Sequence, residues 1–346
     1  MRVLIVTQVI DKNHSILGFF HRWVEEFAKN CEEVHVVCLY EGEHTLPSNV
    51  IIHSLGKNKK EVSSFRYGLR LLKFSWLLRK KYDTVFAHMN PEYVIVGGIL
   101  WRLLGKEVRF WYAHGAVTAK LYVATFLANI VFTSTQGGFR IVSKKVRVIG
   151  QGIDIGHFSE LSDQKGKLNL RRLVTVGRIT ESKRIETLLR AVLLLREEAM
   201  PCTLTIIGGP STSAEEKYLA ELKDYVQQHA LSDYVIFAGA KTQVLLPSAL
   251  RESSVFVSDG ATGSLDKTLL ESAACGLIVI SSNQSFKQVI LDELPETVFE
   301  PQDHVGLATC IRNLAQHDIS HILNTQRRLL VESNTISNLV TQIITL

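Results

Sequence analysis

The chain has 346 residues, of which 46% are hydrophobic and 21% charged, a composition typical of a globular protein. This length exceeds one typical core, so two domains are expected, and no apolar run reaches the ~18–20 residues of a membrane-spanning helix. The net charge of +5 suits phosphorylated ligands or an anionic membrane surface and is too small to indicate nucleic acid. Five scattered cysteines without CxxC spacing indicate free thiols in a reducing compartment, and the β-branched start reads as a strand rather than a signal peptide.

The first half of the chain predicts alternating strands and helices. Strands are predicted at residues 2–10, 32–40, 83–90 and 108–116, an amphipathic helix at 19–30, and alternating strands and turns at 129–154. The first strand is followed by no GxGxxG motif, and only Gly18 lies near that turn. A dinucleotide-binding fingerprint is therefore absent, which disfavours a NAD-dependent dehydrogenase.

Residues 57–81 form the most basic segment, and aromatic and apolar residues are interleaved with its cations. A basic helix with an apolar face can lie on an anionic bilayer, which would give the protein a peripheral membrane contact. The same pattern is typical of a crossover helix whose apolar side faces the sheet, and both interpretations can hold together. The segment has no sequence pattern of an RNA-binding module, so no nucleic-acid partner is expected.

Two predicted strands of the first half each end near a histidine. The strand at 83–90 carries His88 and the strand at 108–116 carries His114. Ligands of open α/β sheets bind at the carboxyl ends of strands, so both side chains could face one site. A histidine at a strand end is usually structural, and both interpretations stay open.

The pattern restarts after a polar stretch, residues 155–170, which has no periodicity and is predicted to link two domains. Strands are predicted at 173–179, 203–210, 234–240, 253–258 and 277–281, helices at 185–199, 214–229, 241–253 and 266–276, and a mostly helical tail from 303. The second half is therefore also an α/β unit with a parallel sheet.

Strands of the second half end at glycines. The three strands that follow the linker carry Gly177, Gly208 and Gly239, and the next runs into the loop DGATGS, residues 259–264. Backbone N–H groups in such a loop can meet a phosphate or a sugar, because no bulky side chain intervenes. On this stretch alone, an ordinary βαβ crossover would look the same.

Arg178 and Lys183 lie five residues apart, across a strand end and the start of a helix. Both cations are expected at the edge where the glycine-rich loop ends. Two cations beside helix N-termini form a site for a diphosphate and could neutralise a nucleoside diphosphate leaving group. No acidic pair stands at a strand end, since Asp259 and Asp266 are isolated, so no metal or cofactor is expected. Either cation alone would read as a surface residue near a turn.

At this point the chain resembles a known family. VGRITESK, followed downstream by TLLESAACGLIVI, is similar to the family-4 glycosyltransferases of the GT-B fold. In the first half VTQ, FAHMNPEY, YAHGA, TST and VIGQGIDIGHF stand in the order that this family uses. The resemblance implies two Rossmann-like domains that face each other across a cleft. It also implies an enzyme that moves a sugar from a nucleotide donor to an acceptor, without metal and with retention at the anomeric carbon.

The resemblance assigns roles to particular residues. Arg178 and Lys183 would contact the donor diphosphate, and His114 would lie over the donor sugar, so these three are the predicted catalytic residues. The acceptor side would lie in the N-terminal domain, at the loop with Gly18 and at the strand end with His88. The family's common glycine pair is absent from that first loop, which has Gly18 alone.

The predicted donor-binding residues lie at strand ends and around the start of the helix at 266–276: Gly177, Gly208, Gly239, Gly263, Ser264, Leu265, Asp266 and Glu271. By resemblance Glu271 would hold the ribose hydroxyls, Gly239 would approach the base, and the amides from Gly263 to Leu265 would meet the β-phosphate and the sugar. The family pairs two glutamates with seven residues between them, and Gly263 stands at the first position. The carboxylate that usually contacts the sugar is missing, and Asp266 or Ser264 could replace it.

We therefore expect a GT-B protein with an acceptor-binding domain at 1–160, a donor-binding domain at 170–325, and a C-terminal helix at 326–346 that crosses back to the first domain. The expected activity is transfer from a UDP- or GDP-sugar to a glycan or lipid-linked acceptor in the synthesis of cell-surface polysaccharide or glycoconjugates. The expected location is cytoplasmic, peripheral on the inner face of the membrane. A nucleotide-sugar-binding protein without transfer activity, motivated by Gly263, and a sugar-nucleotide epimerase of the same architecture are the alternatives.

Overall fold

A computed structural model describes residues 1–14, 17–57, 63–159, 168–260 and 265–346. The chain forms two compact units, Met1–Gly152 with Ile336–Leu346, and Ile153–Thr335. The first unit thus ends at Gly152, a few residues before the predicted linker. The chain returns to the first unit at Ile336, ten residues after the predicted start of the C-terminal helix at 326. The predicted α/β class is confirmed, with one parallel sheet in each unit.

The first unit contains a seven-stranded parallel sheet of order β3-β2-β1-β4-β5-β6-β7. Its strands are β1 (Arg2–Ile10), β2 (Glu33–Glu41), β3 (Val50–Ser54), β4 (Thr84–His88), β5 (Glu107–Trp111), β6 (Ile130–Thr133) and β7 (Val146–Val148). Its helices are α1 (Phe19–Asn30), α2 (Ser64–Leu77), α3 (Pro91–Leu103), α4 (Ala119–Leu127) and the C-terminal helix (Ile336–Thr345).

Helices cover both faces of this sheet, and the alternation of side chains along β1 shows how. Leu4 and Val6 share a core with α2, α3 and α4, whereas Val3 and Ile5 share a core with α1 and the C-terminal helix. Because both faces are buried, the strand is a continuous apolar run, as parallel strands usually are.

The C-terminal helix completes the second of these cores. Its buried residues Leu339, Val340 and Ile343 pack with Trp23 of α1. The guanidinium of Arg109, on β5, donates a hydrogen bond to the carbonyl of Ile343. The end of the chain is therefore an integral part of the first unit.

The second unit contains a five-stranded parallel sheet of order β10-β9-β8-β11-β12. Its strands are β8 (Arg172–Val176), β9 (Thr203–Ile207), β10 (Val235–Gly239), β11 (Val255–Ser258) and β12 (Ile278–Ser281). Its helices are α5 (Ile155–Phe158), α6 (Ile185–Glu197), α7 (Ser213–Gln228), α8 (Leu246–Arg251), α9 (Lys267–Ala274), α10 (Gln284–Ile290), α11 (His304–Asn313) and α12 (Ile319–Gln326). One apolar core joins the strands to these helices.

The structure differs from the predicted order in a few elements. The start of the predicted linker is the helix α5, because the Asp154 carboxylate accepts a hydrogen bond from His157 N–H at 3.2 Å and Phe158 is buried in the core of the second unit. β3, α3, α4 and α10 were not predicted. β3 is a five-residue edge strand, and α3 and α4 are apolar on their exposed sides too, as Ile99 and Phe126 show, which weakens the helical pattern.

Candidate functional site

Three neighbouring strands of the five-stranded sheet end in glycines whose backbones lie side by side. Gly177 N–H donates to the Ile207 carbonyl, and Gly208 N–H donates to the Gly239 carbonyl, each at 3.0 Å. Gly177 and Gly208 have φ of +152° and +154°, and a Cβ on Gly208 would lie 1.8 Å from the Gly177 carbonyl oxygen. Only glycine fits there, so the carboxyl edge of the sheet presents bare backbone.

Arg178 extends from this edge and is loosely held. Its side chain is 55% exposed, and a guanidinium nitrogen lies 3.7 Å from a carboxylate oxygen of Glu215 in the first turn of α7. The other oxygen of Glu215 accepts a hydrogen bond from Ser211 N–H at 2.6 Å. An ion pair of this length is weak when the arginine is largely exposed, so Arg178 can turn toward an anionic ligand at little cost.

Lys183 is held more firmly on the same edge. Its stem passes over Gly177, where a Cβ would lie 3.0 Å from Lys183 Cε, and its ammonium group binds the Asp266 carboxylate. Asp266 also caps α9, accepting hydrogen bonds from Thr268 N–H at 3.4 Å and Thr268 Oγ1 at 3.1 Å. Burial would raise the pKa of Asp266, but Lys183 and Thr268 outweigh it and hold that pKa below its ordinary value.

Glu271 lies one turn into α9 and is only 2% exposed. Gln243 Nε2 donates a hydrogen bond to the Glu271 carboxylate at 2.8 Å, and the backbone carbonyl of Gln243 accepts a hydrogen bond from His157 Nε2, also at 2.8 Å. Burial raises the pKa of Glu271, with the positive charge of Lys267 opposing the shift. Burial likewise lowers the pKa of Lys267, with Glu271 and Asp154 opposing that shift. The carboxyl group thus sits among polar partners but is largely removed from water.

Gln243, Lys267 and Asp154 were missed by the sequence analysis. Lys267 could have been found, because it lies four residues before Glu271 on one helix and so shares its face. Gln243 and Asp154 come from other parts of the unit, and no local pattern marks them.

The glycine-rich loop is described only in part. Leu265 is buried, with its side chain in the core of the second unit. Gly263 and Ser264 lie outside the described residues. Their predicted contacts with phosphate and sugar, and the consequence of glycine at position 263, stay predictions.

Asp259, a buried residue directly after β11, makes contacts that hold the fold together. Its carboxylate lies 3.6 Å from the Arg184 guanidinium, accepts a hydrogen bond from Ser282 Oγ at 2.5 Å, and accepts another from Gln302 N–H at 3.0 Å. These contacts tie the carboxyl end of β11 to α6 and to the segment after β12. In the part of the chain that the structure describes, no group of three or more His, Cys, Asp or Glu residues is placed to hold a metal ion.

On the first unit, His114 lies exposed in the loop after β5. Its Nδ1 accepts a hydrogen bond from Ala116 N–H at 3.1 Å, so Nε2 is the nitrogen available to a ligand, and its ring lies edge-on to Tyr112 with centroids 6.3 Å apart. The Arg140 guanidinium lies near the next residue, Gly115, since a Cβ built on Gly115 would lie 3.1 Å from a terminal nitrogen of Arg140. A histidine and an arginine therefore lie together at this strand end.

His88 and Gly18, both predicted for the acceptor side, are buried. The His88 ring stacks on Phe20 with centroids 4.1 Å apart, and its Nδ1 lies 3.4 Å from Thr7 Oγ1. Gly18 precedes α1, and its N–H donates to the His14 carbonyl at 2.9 Å. Of the two strand-end histidines, only His114 reaches the surface. The acceptor-side roles of His88 and Gly18 stay predictions, and any such role would be indirect in this conformation.

The two α/β units with parallel sheets of seven and five strands are those of the GT-B class of glycosyltransferase structures. HepE of Anabaena, solved in complex with UDP, matches with a TM-score of 0.77 at 16% identity, over 99% of this chain and 98% of that chain. Sucrose-phosphate synthase from Thermosynechococcus elongatus matches with a TM-score of 0.74 at 18% identity, over 99% of this chain and 97% of that one. At these identities the likeness shows the fold.

Residues 171–317, which contain Arg178, Lys183 and Glu271, match the protein-family model "Glycosyl transferases group 1". The amylovoran biosynthesis glycosyltransferase AmsK of Erwinia amylovora is 26% identical over 188 residues, which are 50% of this chain and 43% of AmsK. The chain spans less than half the length of the curated relatives it matches.

Proposed function

We propose that the protein is a glycosyltransferase that moves a sugar from a UDP- or GDP-sugar to a glycan or lipid-linked acceptor in polysaccharide or glycoconjugate synthesis. The observation that carries this proposal is the carboxyl edge of the five-stranded sheet. There, two cations, three glycine strand ends and a buried glutamate lie together. The group 1 family match over the same residues and the UDP complex of HepE support it.

We assign each residue of this edge a proposed part in donor binding. Arg178 and Lys183 bind the diphosphate and stabilise the charge that develops on it as the bond to the sugar breaks. Gly177, Gly208 and Gly239 let the nucleotide approach the backbone, because none of them carries a side chain. The Glu271 carboxylate accepts hydrogen bonds from the ribose hydroxyls, and Gln243 orients it.

We propose that the reaction retains the configuration of the donor sugar and needs no metal ion. The leaving phosphate itself can take the proton of the acceptor hydroxyl, so no side chain needs to act as a strong nucleophile. His114 provides a hydrogen-bonding nitrogen for the donor sugar. The positive charges of Arg178 and Lys183 neutralise the leaving diphosphate, as a metal ion does in other enzymes that act on phosphorylated substrates.

The proposed acceptor region is the carboxyl edge of the seven-stranded sheet. We further propose that the protein lies in the cytoplasm, in peripheral contact with the anionic inner face of the membrane through residues 57–81. On α2, Phe65, Trp76 and Leu77 are at least half exposed, and no acidic residue stands between Ser63 and Tyr82. In the described residues, no helix is long and apolar enough to cross a membrane.

A donor panel tests the proposed activity. Purified protein is screened with UDP-, GDP- and ADP-sugars by thermal shift, since a ligand that binds the folded state raises its stability. The donor that binds is then assayed for hydrolysis and for transfer. We expect Arg178→Ala to lower kcat/KM by about 10²-fold or more, because it removes charge stabilisation at the leaving group. Arg190→Ala, an exposed arginine on α6, is the matched control and should leave kcat/KM unchanged.

The same assay separates the alternatives. Tight nucleotide binding with no turnover across the panel would favour a nucleotide-sugar-binding protein. Conversion of the donor sugar without any acceptor would favour an epimerase. Wild-type turnover that Arg178→Ala leaves intact would contradict the assigned role of this residue.

A further inference from the structure

At the carboxyl edge of the five-stranded sheet, Asp266 occupies the place that an anionic ligand would take. One carboxylate oxygen binds the Lys183 ammonium group, and the other accepts the hydrogen bonds of Thr268 at the start of α9. A cation and a helix N-terminus are the groups that a phosphate would otherwise engage. The side chain of Asp266 therefore satisfies both from within the protein.

The ion pair between Lys183 and Asp266 is well shielded. The two side chains are 19% and 13% exposed, and a Cβ on Gly260 would lie 3.9 Å from both Asp266 Oδ2 and Lys183 Cδ. Charges partly removed from water attract each other more strongly than surface charges do. Arg178 differs, since it is 55% exposed and 3.7 Å from its nearest carboxylate.

The two cations assigned to the diphosphate are thus in different states before a ligand arrives. Arg178 is loosely paired and accessible. Lys183 is neutralised by Asp266. A diphosphate site is expected to have two cations that are accessible to the ligand. In this site only Arg178 meets that expectation. A phosphate that approaches Lys183 meets a carboxylate that carries the same sign of charge.

We propose that Asp266 is an internal counter-ion that competes with the donor diphosphate for Lys183. The inference rests on the proposed function, because it takes a nucleoside diphosphate group as the ligand. Binding exchanges one ion pair for another: the Lys183 ammonium leaves the carboxylate for a phosphate oxygen, while Asp266 remains the cap of α9. Asp266 thereby weakens diphosphate binding and sets the affinity of the site for its donor.

The substitution Asp266→Asn tests this competition. Asparagine has nearly the shape of aspartate and is an equally good helix cap, so the variant keeps the cap and removes the charge. Dissociation constants for UDP, GDP, ADP and inorganic pyrophosphate are measured by titration calorimetry. We expect Asp266→Asn to bind the preferred nucleotide and pyrophosphate about three- to tenfold more tightly. Glu215→Gln, which removes the carboxylate 3.7 Å from the exposed Arg178, should change the dissociation constants by less than about twofold.

A second substitution assigns the gain to Lys183. In the double variant Asp266→Asn with Lys183→Ala, the tighter binding should disappear. Unchanged or weaker binding in a folded Asp266→Asn protein would overturn the inference, because Asp266 would then be a residue that positions Lys183 for the ligand. If the wild type binds a nucleotide in that case, the proposed function still stands. If neither protein binds any of the four ligands, the inference and the proposed function both fail.

Discussion

At the scale of single residues, Glu271 shows how burial and charge oppose each other at one carboxyl group. It is almost fully buried, and burial raises its pKa, whereas Lys267 one turn earlier acts in the opposite direction. Folding therefore favours the protonated form of Glu271 and the neutral form of Lys267 relative to the unfolded chain. A bound nucleotide with hydroxyl donors would offer the carboxylate the hydrogen bonds that water supplies elsewhere.

This balance predicts a pH-dependent effect of Glu271→Gln. Because the folded pKa of Glu271 is raised, the native state holds a proton that the unfolded chain has released, so wild-type stability falls as pH rises above the ordinary glutamate pKa. The variant lacks this loss, because glutamine does not titrate. Between about pH 5 and pH 8, the wild type should lose about 1–3 kcal/mol of unfolding free energy relative to the variant.

Urea unfolding at several pH values measures this difference. Glu181→Gln, at an exposed glutamate, is the control for the loss of a carboxyl group. A difference between wild type and Glu271→Gln that is constant across pH would show that the carboxyl group is not perturbed by its burial.

At the scale of elements, the shape of the carboxyl edge of the five-stranded sheet depends on how closely β8 and β9 approach there. Gly208 stands where a Cβ would meet the Gly177 carbonyl oxygen at 1.8 Å, and its φ of +154° is unfavourable for other residues. The adjacent Gly209 has no such constraint, since its nearest neighbour would be Ala240 Cβ at an ordinary 3.8 Å.

The pair of adjacent glycines gives a matched test. Gly208→Ala should lower the free energy of unfolding by at least about 2 kcal/mol, because the methyl group forces the strand ends apart and the backbone is strained. Gly209→Ala should change it by less than about 0.5 kcal/mol. Chemical denaturation of the two variants measures both values. Equal destabilisation would mean that the strand ends can separate freely.

At the scale of the whole molecule, exposed apolar side chains and cations accompany each other on the first unit. Trp76 and Leu77 are 50% and 59% exposed near the end of α2, and the Arg79 guanidinium lies 4.4 Å from the centroid of the Trp76 ring. On α3 and α4, Leu103 and Phe126 are also largely exposed. Such surfaces are uncommon on proteins that have no partner there.

Membrane contact through this surface predicts selective binding to anionic vesicles. Wild-type protein should co-sediment with phosphatidylglycerol vesicles more than with phosphatidylcholine vesicles, and the difference should shrink in high salt because charge attraction is screened. Trp76→Ser should reduce binding several-fold, since an aromatic side chain that inserts into the membrane interface contributes about 1–2 kcal/mol to binding. Ile236→Ser, at an exposed apolar residue on the second unit, is the control. Binding that ignores anionic lipid content would contradict the prediction.

Most of the alternating strands and helices could be predicted from the sequence alone, because the periodicity of apolar residues is local to each element. The sequence also placed Arg178 and Gly177 together at a strand end, since the two are neighbours in the chain. Among the elements that escaped prediction, α3 and α4 have apolar exposed sides, and β3 is a short edge strand.

Only the tertiary structure decided which partners the site residues have. Lys183 meets Asp266 across 83 residues of sequence, and Gln243 meets Glu271 across 28. His88 and His114 look alike at two strand ends, yet one stacks beneath Phe20 and the other is exposed. These outcomes depend on the register of neighbouring strands and on how helices pack over them, which no local pattern records. In the structure the two predicted cations therefore differ. Arg178 is exposed, whereas Lys183 is held by the carboxylate of Asp266.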